Sequence, residues 1–315
     1  LTTPGSSEIP LLVIGGPTGV GKSAAAINLA ESLEARGIPS LILSADSRQV
    51  FRGFDIGTDK VSAEIRAHRR HAGIDIADAR APFTLYDWLE DARRELSVAQ
   101  GIGIVVGGTG LYQRALLRGF LRGGARPADP ELRARLEGEL ASDGRAPLDA
   151  QLAALHPAAA HAVAAASSRR LIRTLEITML GGDPTTEEES PWSAGTRFVL
   201  LDAPDLVAYR TALSARIDRQ FAAGLVREAQ ILAESLPQET PALSGIGYAE
   251  ALALAAGTLD ETQARSTAAT RTWAYARRQR TWYRKETLNA TLDPHDVATP
   301  AALLTFALEL VEGGR

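Results

Sequence analysis

The sequence predicts an α/β fold: a parallel sheet flanked by helices, with an all-helical domain inserted into it. Three observations predict it. Short apolar runs at residues 11–15, 39–45 and 102–106 read as buried strands. Segments of helical spacing, 22–35 and 84–100, alternate with those runs, as strand–helix–strand crossover units require. From residue 129 to about 181 the chain is rich in Ala, Leu and Arg at helical spacing and shows no strand.

The elements follow in order. The first strand runs into a Gly-rich turn and then a helix. The second ends at Asp46, and the third ends in Gly107-Gly108-Thr109. Ligands in a parallel sheet sit at the carboxyl ends of the strands, so these three turns should face one site. Composition shifts at residues 119–127, and the helical stretch that follows closes in a polar, Pro-containing loop at 183–195. Residues 197–202 read as another core strand, with helices after it to about 287, then a last strand at 290–293 and a helix at 301–312. The expected organisation is a core, first part, at 1–118; a helical insertion at 119–195; and a second core part with C-terminal helices at 196–315.

Composition narrows the function classes. Of 315 residues, 45% are hydrophobic and 23% charged, as in a globular protein, and no apolar run approaches the ~18–20 residues that span a bilayer. The first ten residues lack a basic segment followed by an apolar one, so the expected compartment is the cytoplasm. The absence of cysteine excludes disulfides and cysteine-ligated zinc. A net charge of −4 argues against a uniformly basic nucleic-acid surface, but local clustering decides such binding. Lys22, Lys60 and Lys285 are the only lysines; clustered arginines supply the rest of the positive charge.

Gly16-Pro17-Thr18-Gly19-Val20-Gly21-Lys22-Ser23 matches G-x-x-x-x-G-K-[ST] between an expected strand and an expected helix, which defines a P-loop. Glycines let backbone N–H groups turn inward around phosphate oxygens, and the helix N-terminus adds partial positive charge. Lys22 would neutralise the terminal phosphates, and the Ser23 hydroxyl would ligate Mg²⁺. The core is therefore expected to resemble those of P-loop NTPases. Yet the strand at 102–106 ends without the acidic residue that positions metal and water in ATPases. One carboxylate, Asp46, and one hydroxyl, Thr109, face the phosphates. That set suits moving a group between a diphosphate and a nucleophile better than hydrolysing a triphosphate.

Here the chain resembles the bacterial tRNA dimethylallyltransferase (isopentenyltransferase) family. The resemblance rests on GPTGVGKS at 16–23, SADSRQVFRGFDIGTDK at 44–60 and VVGGTGLYQRALLRG at 105–119. Weaker matches follow in the family's order: ADPELRARLE, RRLIRTLEI, RIDRQFAAGLVREA, LSGIGYAE and RRQRTWYRKE. The resemblance implies transfer of dimethylallyl from dimethylallyl diphosphate to the exocyclic amine of the adenosine just 3′ of a tRNA anticodon, assisted by magnesium. It also implies a helical insertion that grips the anticodon stem, and a channel through the core. Phe51 stands where the family usually has Tyr, and Ser167-Ser168-Arg169-Arg170 where it often has Asp-Pro-Gln-Arg.

Roles follow for individual residues. Asp46 would accept the amine's N–H and take up the proton lost on alkylation; its rival readings are a Mg²⁺ ligand and a helix cap. Thr109 would donate a hydrogen bond near the bridging oxygen of the departing diphosphate, or cap the next helix. Arg216 matches the family's diphosphate-clamping arginine, with Arg219 as near rival. The implied tRNA contacts are Asp46, Ser47, Arg48, Gln49 and Thr109 in the core, and Arg133, Arg169, Arg170, Leu171, Ile172 and Arg173 in the insertion. The segment 270–285 interleaves Trp273, Tyr275, Trp282 and Tyr283 with arginines, which suits RNA or an amphipathic helix packed on the core. His68 and His71 read as surface residues or RNA neighbours. One chain carries a whole site, so a monomer is expected. The alternatives are an adenylate isopentenyltransferase acting on free nucleotide, a P-loop small-molecule kinase, and a non-catalytic RNA-binding module.

Overall fold

The structure, a computed structural model, describes residues 8–119, 129–186 and 191–313. Most of the compositional shift at 119–127, part of the loop at 183–195 and the first seven residues lie outside the described residues. The chain divides into two compact units, residues 1–113 with 193–315, and residues 114–192.

The larger unit opens with β1 (Leu11–Gly15), α1 (Lys22–Glu34), β2 (Ser40–Ser44), α2 (Ala63–His68) and β3 (His71–Ala72). It continues with α3 (Leu85–Ser97), β4 (Ile102–Gly107) and the start of α4 (Gly110–Arg118). The smaller unit holds α5 (Pro130–Asp143), α6 (Arg145–Leu155), α7 (Pro157–Val163) and α8 (Ser168–Met179). The chain then returns with β5 (Thr196–Leu201), α9 (Leu206–Ala222), α10 (Leu225–Ser235), α11 (Tyr248–Ala255), α12 (Glu261–Tyr283), β6 (Ala290–Leu292) and α13 (Thr299–Gly313).

The six strands form one sheet in the order β3-β2-β4-β1-β5-β6, and every pairing is parallel. Register follows from the apolar runs: Val13 lies between Val105 and Phe198. β1 is buried along its whole length, as a strand covered on both faces must be. Leu12 and Ile14 pack with Leu29 and Leu33 of α1 and Leu303 and Ala307 of α13. On the other face, a Cβ added at Gly15 would lie 2.8 Å from the rings of Phe198 and Tyr283, which shows how closely the end of α12 packs there. α3 starts with a capping box, in which Thr84 and Asp87 satisfy each other's backbone N–H groups.

β3 was not expected. Two residues carry no periodicity; His71 and Ala72 become a strand only by pairing with Ile42 and Leu43. Because the sheet is parallel, the turns after β1, β2 and β4 emerge at one edge. Among the described residues no helix is long and apolar enough to cross a membrane.

The helical unit buries Leu136, Leu148, Leu152, Val163, Leu171, Ile172 and Leu175 in its own core. At its edge Glu176, fully buried, accepts hydrogen bonds from the Asp129 backbone N–H (2.9 Å), Arg133 Nη2 (2.5 Å) and Arg173 Nη1 (2.7 Å). Burial opposes its ionisation, but the two guanidinium groups outweigh burial and hold Glu176 below the usual carboxylate range.

Candidate active site

The P-loop is built by close approach. A Cβ at Gly16 would lie 2.4 Å from the Leu201 carbonyl oxygen, and one at Gly19, where φ is +73°, would lie 2.5 Å from Leu213 Cδ2. Lys22 Nζ donates to the Pro17 carbonyl at 2.7 Å. Burial brings the Lys22 pKa down to about 8, with Asp46 opposing that shift and Arg216 adding to it. Val20, between Gly19 and Gly21, is buried in the core.

Thr18 is fixed at three points. Its N–H donates to Gln279 Oε1 at 2.8 Å, its carbonyl accepts from the Tyr209 hydroxyl, and Arg216 Nη1 donates to its Oγ1 at 2.7 Å. Gln279, itself buried, also donates from Nε2 to the Gly108 carbonyl at 2.8 Å. One amide on α12 thus ties the P-loop to the turn after β4. Sequence reasoning missed Gln279 and Tyr209, because contacts across such separations leave no local pattern.

The second turn carries Asp46. Its Oδ1 accepts the Arg48 backbone N–H at 2.8 Å. Thr109 Oγ1 accepts the Ser47 N–H at 3.0 Å and lies 3.3 Å from Ser47 Oγ, while the Thr109 N–H donates to the Ala45 carbonyl at 3.0 Å. Thr109 lines neither of the two cavities described next; the structure places its hydroxyl on Ser47, bracing the Asp46 turn from behind. Gln49 is engaged within the fold: Ser44 Oγ donates to its Oε1 (3.0 Å) and its Nε2 donates to the Thr58 carbonyl (3.2 Å).

Two cavities meet at this edge. One, of about 300 Å³, is lined by Gly19, Gly21, Lys22, Ser23, Gln49 and Arg219 among others. The other, of about 380 Å³, has an aromatic wall of Phe51, Phe54, Tyr248 and Tyr275, with Ser47 and with Arg48, Arg271 and Arg278 around it. Thr18, Asp46, Thr58 and Arg216 line both. Burial pushes the Tyr275 phenol up to about 12, so it stays a protonated donor. His71 is half-buried on the wall of the smaller cavity; its Nδ1 meets the Arg69 carbonyl at 2.9 Å, and burial lowers its pKa. The structure therefore brings together the P-loop, Asp46 and Arg216, and adds Arg219 on the same wall.

The expected tRNA contacts divide. Arg169 and Arg170 are exposed at the first turn of α8. Arg133 and Arg173 are bound to Glu176. Leu171 and Ile172 are corrected: both side chains lie in the core of the helical unit, where the 3.6-residue period turns them away from the arginines beside them. On α12, Tyr283 is fully buried and Trp273 meets Tyr209 with ring centroids 5.9 Å apart, while Arg277, Arg278 and Arg284 are exposed. Tyr283 and Trp273 thus pack inward and these three arginines face solvent, while Tyr275 lines the larger cavity and Arg280 pairs with Asp202 at 2.8 Å.

Residues 49–286 match the family model for IPP transferase. The chain belongs to the IPP transferase family. It is 40% identical to the tRNA dimethylallyltransferase of Anaeromyxobacter dehalogenans, with 88% of this chain and 92% of that one covered. It is 39% identical to that of Thermomicrobium roseum, with 88% and 84% covered. The full-length tRNA isopentenylpyrophosphate transferase of Bacillus halodurans shares its structure with a TM-score of 0.64 at 29% identity, covering 98% of both chains. A eukaryotic dimethylallyltransferase solved acting on tRNA shares the fold, with a TM-score of 0.78 at 23% identity, covering 98% of this chain and 80% of that one. As an IPP transferase the chain is a prenyltransferase built on an α/β P-loop core.

Proposed function

We propose that this chain transfers dimethylallyl from dimethylallyl diphosphate to the exocyclic amine of the adenosine 3′-adjacent to a tRNA anticodon, and releases diphosphate. The observation that carries this reading is the junction of two cavities of different chemistry at Asp46, Thr18, Thr58 and Arg216. The smaller suits a diphosphate: it has P-loop backbone, Lys22, Arg216 and Arg219. The larger suits a flat base taken out of its stack, with aromatic rings to cover it.

Asp46 stands between them. Its carboxylate accepts an N–H of the amine, aligns the nitrogen lone pair with the allylic carbon, and takes the proton as the N–C bond forms. The allylic C–O bond breaks, and the electron pair leaves with the diphosphate. Lys22 and Arg216 stabilise that negative charge as it builds, which favours the transition state over the bound substrate. Thr109 acts by bracing the Asp46 turn. Magnesium fits the donor present: the Ser23 hydroxyl offers a hard oxygen on the diphosphate-side cavity. Bound there with diphosphate oxygens, it would supply further charge neutralisation.

Arg169 and Arg170 of the helical unit and Arg277, Arg278 and Arg284 of α12 are proposed as phosphate contacts on the anticodon stem-loop. The reaction is proposed to run in the cytoplasm, on a monomer. The test uses labelled dimethylallyl diphosphate with unmodified tRNA or with AMP, and follows ATP turnover alongside. Label in tRNA is expected. Label in AMP would favour the adenylate isopentenyltransferase, and ATP consumption a kinase.

A further inference from the structure

The diphosphate-side cavity holds a second carboxylate that the mechanism above does not use. Asp59 lies on its wall, and Asp59 Oδ2 stands 3.1 Å from Arg216 Nε. The two differ in surroundings: the Arg216 side chain is 15% exposed and the Asp59 side chain 60%. The contact is ionic rather than directional, because Arg216 Nε is buried yet makes no aligned hydrogen bond. That N–H is covered, so a phosphate oxygen reaches this guanidinium edge beside the P-loop only as Asp59 gives way. Asp59 supplies negative charge at that edge.

The backbone keeps Asp59 where it is. Its φ is +57°, a left-handed conformation that costs a non-glycine residue on the order of 1 kcal/mol and persists only where its surroundings enforce it. The enforcing groups are evident. Glu228 accepts the backbone N–H groups of Ile56 (2.9 Å) and Gly57 (3.3 Å), and Gln220 Nε2 donates to the carbonyls of the same two residues. On the other side Lys60, with its side chain 1% exposed, donates to Asp55 (2.8 Å), Asp75 (2.5 Å) and the Phe51 carbonyl (2.6 Å). These contacts hold the backbone and leave the carboxylate itself 60% exposed beside Arg216, where its charge weakens anion binding unless that weakening is itself useful.

We propose that Asp59 is a built-in anionic competitor for Arg216: it neutralises the guanidinium edge that diphosphate takes, and reclaims that edge as the diphosphate product leaves. The inference rests on the diphosphate reading of the cavity. Its use is exchange. A site with a P-loop, Lys22 and Arg216 would otherwise hold its product tightly, and a fixed internal carboxylate lowers the cost of separating Arg216 from that product.

The test is the affinity for inorganic diphosphate, measured by calorimetry. Asp59→Asn and Asp59→Gly should each tighten binding about three- to fivefold, the scale of one exposed ion pair that no longer has to be broken before the ligand reaches Arg216. Gly also suits the left-handed backbone, so this variant should fold at least as well as the parent. In an Arg216→Ala background the gain from Asp59→Asn should shrink to less than about twofold, because the competed group is gone. General damage to the fold would weaken binding, so a gain is not a structural side effect. Unchanged or weaker binding in both Asp59 variants would overturn the proposal, as would an equal gain with and without Arg216. Failure of the underlying reading looks different: Lys22→Ala would then leave diphosphate affinity where it was.

Discussion

Replacing Gln279 with Leu removes both hydrogen bonds that tie the P-loop to the turn after β4, while keeping a side chain of similar bulk. In the parent, Oε1 accepts the Thr18 N–H and Nε2 donates to the Gly108 carbonyl, each at 2.8 Å, from a residue 7% exposed. The variant leaves the partly buried Thr18 N–H and the buried Gly108 C=O without these partners. Each unsatisfied group costs ~1–3 kcal/mol, so the two together cost ~2–6 kcal/mol if nothing relaxes. Relaxation is limited on the Thr18 side, since the Tyr209 hydroxyl and Arg216 hold the same residue. A loss of about 3 kcal/mol is therefore expected, in the lower half of that range. Diphosphate affinity should fall with it, because Thr18 lines both cavities. Denaturant titration gives the first quantity and calorimetry with inorganic diphosphate the second. A Leu variant within about 0.5 kcal/mol of the parent and with parental affinity would refute the claim that α12 holds the P-loop in shape.

Three further expectations follow from the same geometry. Lys22 binds phosphate as an ammonium; with its pKa at about 8 in the free protein, it is charged below that pH and must take up a proton to bind above it. The parent's advantage over Lys22→Ala in diphosphate affinity, a ratio from which the ligand's own ionisation cancels, should therefore be constant below pH 8 and shrink by up to about tenfold per pH unit above it, and a constant ratio to pH 10 would contradict this. Arg169→Ala with Arg170→Ala should weaken tRNA binding and reduce the slope of log K against log salt by about one to two, while sparing diphosphate; parallel lines of equal affinity would remove the helical unit from the RNA grip. Glu176→Gln should destabilise the helical unit by about 2 kcal/mol at neutral pH, below the full cost of breaking a buried pair because Arg133 and Arg173 are partly exposed. Since the folded-state pKa of Glu176 is depressed, that difference is present above the unfolded carboxylate pKa and shrinks as pH falls through the folded one. Equal melting curves at pH 7 would show that the carboxylate does not hold α5 to α8.

Strands made of continuous apolar runs were legible: residues 11–15 and 102–106 became β1 and β4 almost residue for residue. So was the P-loop, whose glycines answer local backbone demands. β3 was not, because two residues gain strand geometry only from a neighbouring strand. In the stretch Arg169-Arg170-Leu171-Ile172-Arg173, a block reading assigned every residue to RNA, while the helical period sends Leu171 and Ile172 inward. Gln279, Tyr209 and Glu228 escaped notice for one shared reason. Each acts on backbone groups of a loop distant in sequence, and nothing near a Gln or Glu in a helix announces which loop it will meet. Asp59 was visible only as a letter within a motif; its pairing with Arg216 depends on a left-handed turn that local sequence does not specify.

The central claim is that Asp46 serves the amine while the P-loop side serves the diphosphate. Asp46→Ala, assayed in single turnover with saturating tRNA and labelled dimethylallyl diphosphate, tests it most directly, together with the Kd for inorganic diphosphate. The expected result is a rate of prenyl transfer lower by ~10²–10⁴-fold, with diphosphate affinity within about threefold of the parent. Near-parental turnover, or a variant that fails mainly by losing diphosphate, would contradict the account.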